Sequence, residues 1–406
     1  DSLFGSAGTP SAAPLDARRV AQLFYDSFAL SAWKVAGTSR WSLRANPSSG
    51  NLHPTEAYLL SGPIQGLLPT AALCHYTPFE HALELRRSLP ADLGDRFRAP
   101  TGCDLMIGLT SIHWREAWKY GERAYRYCQH DVGHAIAGVV IACAVLGWEV
   151  RLLETIGDAE LAQLLAVDRQ SGFEAEHPDV LLGVGMGSVA PLVPGSWPDP
   201  ELMKDIRKQP DLGEPNRLSQ DHQPWPIIDA VAAACEKPPL SLPSVLCPES
   251  SAEIASARRI DARQIIRQRR SAVAMDGVTA ISLATFLGQL RRTLPYPGYP
   301  VWRAWPWPAS VHLALFVHRV EGLPRGLYWL DRDLVSPGCC RTLLRPDFDW
   351  QRPAGCPATV PLHRLREGDY GEVSEELCCR QSIAADGAYA VAMVAVMERR
   401  LHEHGP

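Results

Sequence analysis

The 406-residue chain contains no CxxC pair, no HExxH motif and no apolar run of bilayer length. Its 11 cysteines are odd in number and scattered, apart from the adjacent pairs Cys339-Cys340 and Cys378-Cys379. That pattern argues against a zinc site or a thioredoxin-type motif. Reduced thiols in a cytoplasmic protein are the simpler reading. The most apolar run, Ala135 to Trp148, is about half the length that spans a bilayer, so a buried helix is expected and no membrane partner. A strongly basic balance is also missing: the formal net charge is -5, which excludes a large nucleic-acid-binding face. The start, Asp1-Ser2-Leu3, has neither an initiating Met nor a signal peptide and reads as a fragment or processed form.

The length is enough for two domains with full cores. Asp16 can cap a helix carrying Val20, Leu23, Phe24 and Phe28 on one face. The segment Arg44-Ala45-Asn46-Pro47-Ser48-Ser49-Gly50-Asn51-Leu52-His53-Pro54-Thr55-Glu56 follows, then strand-like Ala57-Tyr58-Leu59-Leu60. Two prolines bracket Ser-Ser-Gly-Asn, so the segment is neither regular helix nor central strand. It offers backbone N–H groups, small hydroxyls and an amide to a flat, polar-edged ligand; a plain helix-to-strand turn is the alternative. A strand at Asp104–Thr110, a polar stretch at Trp114–Tyr127, an apolar helix over 135–147 and a strand at Val180–Gly185 complete an α+β half. His130 and His134 flank Asp131 at helical spacing, but no third metal ligand is evident, and no metal is expected. Gly183-Val184-Gly185-Met186-Gly187 lacks the following helix and ribose-binding acid of a dinucleotide fold.

The Pro47-Ser48-Ser49-Gly50-Asn51 loop resembles the Pro-Ser-x-x-Asn loop of the nitroreductase-like flavoproteins, in the branch of the SagB-type (thiazole/oxazole-forming) dehydrogenases. The resemblance implies FMN as cofactor, with Pro47, Ser48, Ser49 and Asn51 as flavin contacts and Arg44 beside them. Lys119-Tyr120, followed by Tyr125-Arg126, extends it. In that branch a Lys-Tyr pair before the long helix is thought to take the substrate proton. A desolvated lysine has a lowered pKa and suits that role, the tyrosine hydroxyl relaying or positioning. Read by residues alone, the same stretch is also a solvated helix face, with Glu122–Arg126 attracting and Lys119–Arg123 repelling.

From Pro191 to Pro248 about a dozen prolines and little periodicity mark a linker, interrupted by helix-like Ile227–Ala234. Beyond it the order of the first half recurs. A helix with Ile281, Phe286, Leu287 and Leu290 precedes Arg303-Ala304-Trp305-Pro306-Trp307-Pro308-Ala309-Ser310, which stands where the loop stood, and then the strand Val311–Val317. The expected organisation is a first domain over 1–190, a linker over 191–250 and a degenerate, incomplete second domain over 251–406. Together they make a nitroreductase-like α+β pseudo-dimer with a mixed or antiparallel sheet in each half. Trp307-Pro308 replace the serines, and a Trp there would fill ring space.

The second half carries Arg269-Arg270-Ser271, which resembles the family's Arg-Arg-Ser phosphate clamp, guanidinium forks and a hydroxyl holding the FMN phosphate. A basic helix end is the alternative. In the family's homodimers one subunit supplies the clamp and the other the loop. The resemblance therefore implies one composite FMN site per chain, with catalytic Lys119 and Tyr120, and a homodimer of the chain is compatible with it. Implied substrates are a modified peptide, or a small molecule reduced with NAD(P)H. The competing expectation is a non-catalytic binding or scaffolding module.

Overall fold

The computed structural model describes residues 3, 10–190, 195–239, 260–333, 338, 340–395 and 397–404. Linker residues 191–194 and 240–259, and Cys339 of the first cysteine pair, lie outside the described residues.

Helix α1 (Ala17–Ser27) starts where the sequence predicts: the Asp16 carboxylate accepts from the Arg19 amide at 2.9 Å. An antiparallel hairpin follows, β1 (Leu30–Ala36) and β2 (Ser39–Arg44). After the loop at 45–54 come β3 (Thr55–Ser61), β4 (Ala72–Thr77), β5 (Ala82–Ser88), α2 (Leu93–Thr101) and β6 (Leu105–Ser111). Helices α3 (His113–Tyr120) and α4 (Ala124–Val145) lead to β7 (Glu149–Leu152), α5 (Asp158–Leu164) and β8 (His177–Gly185). The six strands form one antiparallel sheet in the order β5-β4-β3-β6-β8-β7.

Both faces of this sheet are covered, which is why every residue of β3 and β6 is buried and neither strand shows polar alternation. On one face Ala57, Leu59, Ile107 and Leu109 pack against Phe24 of α1 and Val139 and Cys143 of α4. On the other, Tyr58, Leu60 and Met106 meet Phe97 of α2, Leu161 of α5 and Ile206 of α6 (Pro200–Lys208). The helical run His113–Val145 is long and apolar enough to cross a membrane by composition, but 56% of that window is buried inside the fold. It serves here as a core helix.

The linker is wrapped onto the first sheet by polar anchors. Glu174 accepts from the amides of Leu218 and Ser219 at 2.8 and 2.9 Å, and Asp158 accepts from the Lys237 amide at 2.8 Å. Helix α7 (Pro226–Ala234) buries Ile228 against Ile112, Trp114 and Ala124. Helix α8 (Ala262–Gln268) then docks on α1. Buried Asp26 accepts from Arg263 Nε at 2.6 Å and Nη2 at 3.2 Å, with Arg267 at 3.9 Å.

The second half opens on short β9 (Ile281–Ser282), α9 (Leu283–Arg291) and α10 (Pro300–Ala304). It continues through β10 (Val311–Val317), short β11 (Val320–Glu321), which pairs with β9, then β12 (Gly326–Leu330), β13 (Leu362–Glu367), α11 (Gly371–Leu377) and β14 (Tyr389–Ala395). Its sheet runs β13-β12-β10-β14, all antiparallel, the same walk along the chain as β5-β4-β3-β6. Helix α9 covers it with Phe286, Leu287 and Leu290 as α1 covers the first. The chain is thus an α+β molecule of two related domains. Among the described residues no strand lies beyond β14, whereas β6 is followed by β8 and β7; Val391 and Met393 of β14 are exposed.

Removing Arg263 leaves Asp26 buried with only a distant partner. Arg263→Ala is expected to lower stability by about 3 kcal/mol, against under about 1 kcal/mol for Arg267→Ala, read from urea unfolding of the two variants.

Candidate active site

The loop between β2 and β3 has no ladder to satisfy its backbone, so side chains do it. Gly50, Asn51 and His53 adopt φ of 58°, 62° and 51°, the left-handed region. Asp131, 1% exposed in the middle of α4, accepts from the Ser49 amide at 2.9 and 3.1 Å and from Ser49 Oγ at 3.0 Å. Ser48 Oγ accepts from the His53 amide at 2.8 Å. Asn51 donates from Nδ2 to the Ser42 carbonyl at 2.9 Å, and its Oδ1 lies 3.0 Å from His53 Nε2. The polar side chains of Ser48, Ser49 and Asn51 therefore brace the loop itself, where the sequence reading had them facing a ring. Pro47 and Gly50 are exposed, and Asn46 is buried with its Oδ1 unpartnered among the described residues.

Lys119 and Tyr120 lie directly over this loop. A Cβ built on Gly50 would sit 2.6 Å from Tyr120 Oη and 3.2 Å from Lys119 Cδ, so a larger residue there would have to displace the Tyr120 ring. Tyr120 packs on Tyr127 with centroids 4.3 Å apart, and Lys119 Nζ stands 5.5 Å from the Tyr120 ring. Burial, with Glu116, Tyr127 and Asp131 nearby, raises the Tyr120 phenol. Lys119 is exposed, and the desolvation expected of it is not provided by the protein. One turn earlier on α3, Glu116 is fully buried, and neither carboxylate oxygen has a hydrogen-bond partner among the described residues. Its burial, and then the Asp131 charge, push its carboxyl up to about 8. The sequence reading missed Glu116, and it weighed Asp131 only as a metal ligand beside His130 and His134, not as the loop's anchor.

The clamp residues come from the other half, and one of them, Arg269, reaches the same loop. Arg269 Nη2 donates to the Ala45 carbonyl at 3.3 Å. Arg270 donates to the carbonyls of Ser31, Arg267 and Arg269 at 2.8, 2.7 and 2.6 Å, tying the segment to β1. Ser271 is exposed. In the equivalent place of the second half, Ala304, Trp305 and Trp307 pack into the first domain's core, the two indoles 5.0 Å apart. Arg303 lies 3.5 Å from Glu149. That position is filled by aromatic side chains.

Arg44 turns away from Lys119 and Tyr120. It lines a cleft on the other side of the loop and donates to the Thr55 carbonyl at 3.4 Å. Nearby, Glu56 accepts from Arg115 and from His75 Nε2 at 2.8 Å, and His75 Nδ1 meets Glu84 at 3.0 Å. Burial alone would raise the Glu56 carboxyl; Arg115, then His75 and Arg44, hold it well below the usual range. Burial opposes charge on His75 as well, and the Glu56 hydrogen bond and charge outweigh it and raise its pKa. Burial, with Arg44 and Arg115, lowers His53 to about 3. This network was not legible in sequence, because its members stand 19 and 59 positions apart.

A solved structure shares this fold over nearly the whole chain. A protein described as a putative nitroreductase from Anabaena variabilis ATCC 29413 is similar with a TM-score of 0.64 and 18% identity, over 96% of this chain and 75% of that one. Residues 19–187 match the Nitroreductase family model. The fold is nitroreductase-like, and the matched domain is that of an oxidoreductase family. Two further structures are similar at TM-scores too low to bear on the fold. One is the E. coli microcin synthetase McbBCD complex with truncated pro-MccB17 bound (0.35; 18% identity; 44% of this chain, 65% of that one). The other is a nitroreductase, so described with the same reservation, from Ralstonia eutropha JMP134 (0.33; 17% identity; 44% and 76%). No curated protein matches the chain.

Two measurements probe the nitroreductase-like loop. Gly50→Ala adds left-handed strain and a clash with the Tyr120 hydroxyl, and should lower stability by about 2 kcal/mol in urea; Tyr120→Phe in the same chain should recover part of it. Glu116 holds a proton in the folded state that the unfolded chain releases, so from about pH 5 to pH 8 it lowers stability as pH rises. Glu116→Gln should match wild type in melting temperature at the acid end and exceed it at the alkaline end.

Proposed function

We propose that the chain is an FMN-dependent oxidoreductase of the SagB-type dehydrogenase branch, with one composite flavin site at the seam between its halves. The observation that carries this reading is the meeting of Arg269 with Ala45 of the loop whose Gly50 packs against Tyr120 and Lys119. The residues present fit a flavin there. Arg269 keeps free donors beyond its one long bond, and Ser271 and Lys119 are exposed. Arg269, Arg270 and Ser271 would hold the phosphate, and the backbone of Pro47–Asn51 would lie against the ring. Arg44 is left out of this set, since it faces the other side of the loop.

When bound, FMN supplies hydride acceptance or return. The protein orients the substrate and receives the proton that leaves its carbon. Lys119 is the base in this reading, made apolar in surroundings only when a ligand covers it, and Tyr120 positions it. Substrates are a thiazoline or oxazoline in a modified peptide, or a quinone, nitroaromatic or enone reduced at the expense of NAD(P)H. A cytoplasmic setting is part of the proposal; Cys74, Cys103, Cys128 and Cys143 are buried thiols outside any disulfide.

One observation favours a second reading, a non-catalytic scaffold: the Ser49 and Asn51 side chains are already satisfied within the protein. Purified protein distinguishes the two. Yellow colour with absorbance near roughly 450 nm, one FMN released per chain by mass spectrometry, and its loss in Arg269→Ala are expected. Colourless protein that takes up no added FMN supports the scaffold, and two flavins per chain would refute the composite site.

A further inference from the structure

The cleft behind the loop, about 1340 Å³, is larger than the ~300–1,000 Å³ of ordinary small-molecule sites. Lys119, Tyr120 and Arg269 are not among its walls. Its floor is the sheet face carrying Glu56 and Tyr58 of β3, His75 of β4 and Glu84 of β5. Strand β5 carries a bulge here. Arg87 pairs with Leu73 and Leu85 with Cys74, which leaves Arg86 as the extra residue between them. A bulge re-aims a side chain: Arg87 goes inward to Asp211 and the Gln163 carbonyl, and Arg86 lines the cleft.

Arg86 is 7% exposed. Its carbonyl accepts from the Leu212 amide at 2.8 Å, but among the described residues its guanidinium has no hydrogen-bond partner and no carboxylate within 4.0 Å. Arg44, on the same cleft, has only its long bond to a backbone carbonyl and no carboxylate within that distance. Acidic residues line the cleft too, and apart from exposed Glu214 the structure already engages them. Arg115 and His75 hold Glu56, and His75 holds Glu84. Tyr58, Thr110 and Gln170 donate to Glu176, two amides donate to Glu174, and Arg87 and Arg169 pair with Asp211. Arg86 has no ion-pair partner in this concave polar site, and Arg44 has only the charge of Glu56, which Arg115 and His75 already hold. A buried cation without a partner is unfavourable, and the guanidinium fork fits carboxylate and phosphate oxygens.

We infer that this cleft is a second ligand site, for an organic dianion whose two carboxylate or phosphate groups engage Arg86 at one end and Arg44 at the other. The site is separate from the proposed flavin seam, and its ligand reaches it from the face opposite α4.

The test is calorimetric titration of the full chain, at low ionic strength, with citrate and with inorganic pyrophosphate. At least one probe should bind at one per chain, citrate alone marking a carboxylate ligand and pyrophosphate alone a phosphate one. Arg86→Met should weaken it by about ten- to a hundredfold, the loss of charge-assisted hydrogen bonds, while raising the melting temperature of the ligand-free protein. Arg44→Gln should weaken the same probe, and carries the test should Arg86→Met fail to fold. Binding of neither probe, or binding to both variants as tight as wild type, overturns the inference. FMN content is measured alongside and should be unchanged in Arg86→Met, so failure here and failure of the flavin reading remain distinct.

Discussion

A carboxylate buried in a core helix needs partners, and Asp131 finds them in the Ser49 amide and hydroxyl. The loop ahead of β3 depends on that bond more than on any other. Prolines at 47 and 54 deny it a ladder, and left-handed backbone at Gly50, Asn51 and His53 keeps it from continuing as helix. Fixing Ser49 to α4 sets where Gly50 lies, and so how closely Tyr120 can approach. The helix supplying Asp131 is the same one that fills the first core, so the site's geometry is as rigid as the packing beneath it.

The two halves carry one architecture with different turns ahead of the central strand. Both sheets follow the same strand order and both are covered by a helix in the place of α1. In the first, the turn before the central strand is small, polar and glycine-bearing. In the second, Trp305 and Trp307 occupy the corresponding turn and bury themselves against the neighbouring domain. Apolar area buried by those indoles stabilises the contact between halves, and it removes the space that a planar ligand needs.

Much of the fold was legible because its signals are local. The Asp16 cap, the apolar face of α1 and the mainly apolar runs of β6, β8 and β10 each declare an element within a dozen residues. The β1–β2 hairpin was missed because its strands are largely exposed and show no clean alternation, and β5 because it is charged. The conjunction of Pro47–Asn51, Lys119-Tyr120 and Arg269 came from family resemblance; in the structure Tyr120 and Lys119 meet the loop at Gly50, and Arg269 meets it at Ala45. What resemblance did not carry was orientation. Arg44 faces the opposite side, Ser49 and Asn51 look inward, and Lys119 is wet. Orientation depends on distant partners such as Asp131, Arg115 and His75, and on a bulge that no propensity encodes.

The α8–α1 junction has one more consequence. Asp26 and its arginines belong to a single polypeptide, so the two halves meet at an effective concentration set by the tether and not by expression level, on the order of millimolar for a flexible connection. A contact as slight as Arg269 to the Ala45 carbonyl can then persist without a large interface around it. Dilution, which would separate two unlinked subunits, leaves this seam intact.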